Sequence, residues 1–168
     1  MSVQSFLVLL LSAFLLACTT AAPVPPARIQ AEAKHRNALL AIRDGRIEQA
    51  EHYWREALLA YQAIDDDHGQ GMARLGLAQI QSRQGAVRAA EQTLRVMDDV
   101  RFSKAQRSQA AYQMAQLTSD LPVAEAHLAR SRELCDSPCA LSVPQANLAA
   151  KLALRQQQWS QAEHWAGL

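Results

Sequence analysis

Gly45-Arg46-Ile47-Glu48-Gln49-Ala50-Glu51-His52-Tyr53-Trp54-Arg55-Glu56-Ala57-Leu58 is the stretch that decides the architecture. After a glycine suited to a turn, Ile47, Ala50, Trp54 and Ala57 stand at offsets of three, seven and ten, which puts them on one face of a helix. The same offsets recur at Val87, Ala90, Leu94 and Met97, and more weakly at Leu121, Ala124, Leu128 and Ser131. They begin again at Trp159, Ala162 and Ala166. Two residues before each set stand Gly45, Gly85, Ser119 and Gln157, and the sets start 40, 34 and 38 residues apart. The small residue lets two helices approach, and the large one a turn later fills the space beside it. Each such hairpin has a face it cannot bury alone, so neighbours must stack.

Composition points the same way. Ala, Gln, Leu, Arg and Glu dominate, and these are helix formers. The pattern predicts helices at about 28–43 and 47–63, 69–83 and 87–100, 104–118 and 122–134, and 144–156 and 160–168. The fold class expected is all-α. Seventeen Lys and Arg against sixteen Asp and Glu leave no strong field, so nucleic acid is not expected as a partner.

The segment Gly45 to Leu58 closely resembles the second helix of a tetratricopeptide repeat, and Gly85 to Met97 does so moderately. The 34-residue step is that family's own period. First helices depart from the pattern. Its early Trp position holds Lys34, Arg74, Ser108 and Ala146, while its small position holds Ala38, Ala78 and Ala150 but also Tyr112. The resemblance runs from about Ala31 to the C-terminus and implies an α-solenoid of about four hairpins over residues 28–168.

In tetratricopeptide arrays the first helices line a concave face that holds peptides. Projecting that pattern puts Gln79 and Ser82 there, then Gln106, Gln109, Gln113 and Gln116, then Asn147, Lys151 and Arg155. The glutamines step by three, four and three, so they form one stripe. A carboxamide both donates and accepts, so such a row suits the backbone of an extended peptide. A polar face that meets only water is the rival reading. The Lys and Asn carboxylate clamp of some family members is not inherited, because His35 and Leu39 occupy the first of its positions.

At the front, Phe6 to Ala17 is a run of about a dozen apolar residues, too short to span a bilayer, which takes about 20. It has the length of a secretory leader. Leu15-Leu16-Ala17-Cys18 resembles the lipobox of bacterial lipoproteins. The resemblance implies a signal peptide over residues 1–17, acylation of Cys18 and a membrane tether through the lipid. Thr19, standing where an aspartate often retains such proteins at the inner membrane, implies the outer membrane, with the domain facing the periplasm. The start lacks the usual Lys or Arg, so simple secretion with Cys18 incidental is the alternative. Residues 18–27 are uncharged and proline-rich and read as a spacer.

With Cys18 set aside, Cys135 and Cys139 remain, separated by Asp-Ser-Pro. An even remainder in an exported chain and a turn-forming interior predict a disulfide. A thiol–disulfide redox site is the rival, disfavoured by three intervening residues where redox motifs have two. No nucleophile–base pair, phosphate loop or metal-ligand motif emerges, so neither catalysis nor a cofactor or metal is expected. His35, His52, His68, His127 and His164 are scattered singly, and Asp65–Asp67 lacks the glycine and closing glutamate of an EF-hand. The last hairpin is short, so Trp159, Trp165 and Leu168 are expected near an unfinished edge. Either the array continues beyond this sequence or a partner, a second copy included, covers that end. The reading is of an envelope lipoprotein that acts as an adaptor or scaffold. An accessory role in polysaccharide export or a cell-wall enzyme complex is an alternative.

Overall fold

The computed structural model describes residues 24–157 and 159–167. The leader, Cys18 and most of the spacer lie outside them, as does Leu168. The described residues form eight α-helices and no strand: α1 Pro26–Arg43, α2 Ile47–Gln62, α3 Asp67–Arg83, α4 Val87–Arg95, α5 Lys104–Leu117, α6 Leu121–Glu133, α7 Ser142–Arg155 and α8 Trp159–Ala166. The protein is all-α. α1 opens at Pro26, earlier than expected, because proline is well placed in a first turn. α4 gives way to a 3-10 turn at Val96–Asp98, where the sequence pattern had continued the helix. Among the described residues no helix is long and apolar enough to cross a membrane.

Each helix packs on its neighbours in the chain, and α3 also touches α5. Turn chemistry fixes these pairings. Gly45 and Gly85 adopt φ of +73° and +76°, a left-handed conformation that costs glycine little. At both turns the next amide reaches back to close the helix, Arg46 N–H to Ala41 O at 2.8 Å and Ala86 N–H to Gln81 O at 2.8 Å. Gln157 takes the same conformation without being glycine, with φ +59°. The α5–α6 turn is built differently. Thr118 is extended, and Asp120 caps α6 by accepting from the Val123 N–H at 3.2 Å.

The periodic positions fill the interior. Ala50, Trp54 and Ala57 of α2 are buried, as are Ala90 and Leu94 of α4 with Met97, and Ala124, Leu128 and Ser131 of α6. Val87 and Ala166 depart from the pattern and are exposed. The core is three clusters in a row. The first joins α1, α2 and α3, the second α3, α4 and α5, and the third α5, α6, α7 and α8. In the first, the Trp54 ring lies where Gly76 has no side chain, and any β-carbon there would enter the indole. Between α5 and α6, Ser108 Oγ donates to Ser131 O at 2.7 Å and Ser131 Oγ donates to Ser108 O at 2.9 Å. Gln145 Nε2 joins them from α7, donating to Ser131 Oγ at 2.8 Å. This explains a serine where the first two sets carry Ala57 and Met97.

Candidate functional site

α3 and α5 lie side by side and leave a groove of about 290 Å³ between them. Two carboxamides of α5 reach the α3 backbone. Gln106 Nε2 donates to His68 O at 2.8 Å, and Gln113 Nε2 donates to Leu75 O at 3.4 Å. Gln79 and Ser82 of α3 face Gln109, Gln113 and Gln116 of α5 across the groove, with Tyr112 in the wall and Arg83 at one end. The Tyr112 hydroxyl accepts from Gln116 Nε2 at 3.1 Å. Burial pushes the Tyr112 phenol above its ordinary range, so it stays neutral.

One atom stands out. Gln113 Oε1 is buried and has no hydrogen-bond partner. Its Nε2 donates to Leu75 O, and Gln113 as a residue lines the groove. A buried acceptor left unmade costs about 1–3 kcal/mol.

The structure divides the expected stripe. Gln79, Gln109, Gln113 and Gln116 come together in the groove. Gln106 does not belong there, and its assignment to the groove is corrected. It is 5% exposed, its Oε1 accepts from the Ser103 backbone N–H, and its Nε2 is taken by His68 O. It is the third residue of a capping box that starts α5, and helix-start chemistry outweighs its place in the stripe. Asn147, Lys151 and Arg155 lie exposed on α7 and do not line the groove. Arg155 instead donates to Ser119 O at 2.9 Å, tying α7 to the α5–α6 turn. Tyr112 and Arg83 were not projected onto the groove. A large aromatic where the helical pattern wants a small residue was the one available signal for Tyr112.

Cys135 and Cys139 are bonded, with Cα atoms 5.4 Å apart. Their loop walls a second, mostly apolar hollow that Gln109 also borders, so Gln109 stands between the two. Trp165 is half-buried against the third cluster, and the Arg132 guanidinium lies 4.0 Å from its ring centroid. The last helix is therefore anchored to α6 through that aromatic. Among the described residues no group of three or more His, Cys, Asp or Glu side chains is placed to hold a metal.

Comparison with models of known protein families finds none that matches this chain. Comparison with curated proteins finds no match either.

Proposed function

We propose that the protein is a non-enzymatic adaptor of the cell envelope whose helical hairpins form a tetratricopeptide-like array. In this reading Cys18 carries lipid, the proline-rich spacer keeps the domain close to the outer membrane, and the groove between α3 and α5 takes an extended segment of a protein partner. Tethering raises the local concentration of the domain at the membrane surface, so a modest groove affinity suffices.

The observation that carries the reading is the gathering of Gln79, Gln109, Gln113 and Gln116 along one groove between α3 and α5. A peptide backbone presents alternating N–H and C=O groups, and carboxamides can answer both with little sequence preference. The α2 and α4 faces, with alanine followed by a large apolar residue one turn on, support the repeat register.

Crosslinking and capture from intact cells, with the tether kept, tests the proposal. Gln109→Ala with Gln113→Ala should reduce recovered partner while thermal melting stays near that of the parent. Gln79→Leu, at an exposed groove position, should also keep the parental melting temperature and still reduce capture. Unchanged capture by both variants overturns the groove. Separately, Cys18→Ser should release the protein to the soluble periplasm, and unchanged detergent partitioning overturns the anchor. The bonded Cys135–Cys139 pair sustains a rival redox reading. Ready reduction with a low thiol pKa would favour it, and a resistant bond would leave the adaptor.

A further inference from the structure

α5 borders a third hollow, on the face opposite the groove. Gln109, Gln113 and Gln116 point to the groove, whereas Arg107, Ala111 and Met114 line a cavity of about 340 Å³ shared with α4 and α6. The cavity borders the place where α4 stops at Arg95 and the chain tightens into the 3-10 turn Val96–Asp98. α2 runs 16 residues and α4 only nine, so the second hairpin covers less of its neighbour.

The lining is two-sided in character. Leu94, Met97 and Met114 give an apolar floor, and Arg95, Arg107 and Arg130 stand around it with a single carboxylate, Asp98. Arg130 is held by Glu133 at 2.8 Å and by Asp98 at 3.9 Å. Arg95 and Arg107 form no ion pair among the described residues, and Arg107 Nε is buried without a partner. A guanidinium that lines a cavity without a carboxylate partner is open to an anionic oxygen, which it binds with charge-assisted hydrogen bonds. The volume lies at the lower end of small-molecule sites, which start near about 300 Å³.

We propose that this cavity binds a small amphipathic anion, with its carboxylate or phosphate head between Arg107 and Arg95 and a short apolar body on Leu94, Met97 and Met114. The site is distinct from the groove, so a ligand here leaves the glutamine face open.

Octanoate is the probe, and isothermal titration calorimetry on the full chain is the measurement. Octanoate should bind saturably, and both acetate and octyl glucoside should bind at least about tenfold more weakly, since each lacks one half of the recognition. Arg107→Gln should weaken octanoate about tenfold or more with the melting temperature kept. Arg95→Gln, at an exposed position, gives the same test should the first variant fold poorly. Met114→Trp should block binding while leaving every charge in place. Octyl glucoside binding as tightly as octanoate, acetate binding as tightly, or both arginine variants binding like the parent would each overturn the site. Absence of saturable octanoate binding overturns it outright.

Discussion

The front and rear of the molecule solve one packing problem with different chemistry. In α1–α3 the interior is filled by fit: the Trp54 ring enters the space that Gly76 leaves open, and Ala50 and Ala57 allow the helices to close. In α5–α7 Ser131 stands at the position of Ala57 and pairs with Ser108, and the two satisfy each other and take a third bond from Gln145. Shape tolerates no extra volume at the front, whereas the rear tolerates no missing partner. Large perturbations therefore sharpen the contrast at the front, and chemically subtle ones do so at the rear.

The largest effect is expected from Ala50→Arg. The residue is fully buried, so the substitution adds volume and an unpaired charge and should cost several kcal/mol in urea unfolding. A near-parental midpoint would break the assigned register. Trp54→Ala comes next. It leaves a void beside Gly76, with an expected loss of about 3–5 kcal/mol in the same measurement.

Ser108→Ala should cost about 1–3 kcal/mol, because it takes the hydroxyl donor from Ser131 O, and Ser131→Ala should behave alike, because it takes the acceptor from Gln145 Nε2. The double variant should cost less than the sum of the two, and a double-mutant cycle reads that coupling directly. Simple additivity would mean that the two serines act as independent small residues, and the contrast between front and rear would fail.

A smaller effect belongs to His35, which lies 4.7 Å from the Trp54 ring centroid, with Nδ1 3.4 Å from the Tyr61 hydroxyl. Burial and the neighbouring Arg36 hold its imidazole below the ordinary value near 6.5. The fold thus favours the neutral ring. Above the ordinary value both folded and unfolded chains are neutral and nothing changes. Below it the unfolded chain takes up the proton first, so stability falls with acidification. His35→Gln should flatten this part of a melting-temperature profile between neutral and mildly acid pH. An unchanged slope would remove His35 as the source.

The helix pattern was open to reading from residue spacing because the signal is local. Offsets of three, seven and ten found Ala50, Trp54, Ala90, Leu94, Ala124 and Leu128, and all are buried. The turn positions were equally legible at Gly45 and Gly85, and at Gln157 the same backbone conformation appears without a glycine. Other features depend on which residues of separate helices stand at one level. The pairing of Ser108 with Ser131 spans 23 residues, and the bond of Gln106 to His68 spans 38. Periodicity names a face but not the level at which faces meet. For the same reason the groove gathered Gln109, Gln113 and Gln116 but lost Gln106 to a helix cap, and the arginine-rimmed cavity had no linear signature. Its residues come from three helices and a break in α4.

α1 presents only Ala31, Ala38 and Ala41 to the interior as fully buried side chains. Methyl groups give close approach but little apolar area, so this helix gains less from burial than α2 or α3 and is more easily opened than either. A pull on the amino end would therefore unzip α1 first and leave the tightly fitted tryptophan seat to bear the strain. Amide hydrogens of α1 should exchange ahead of those in α2 and α3, as expected of a sacrificial outer turn.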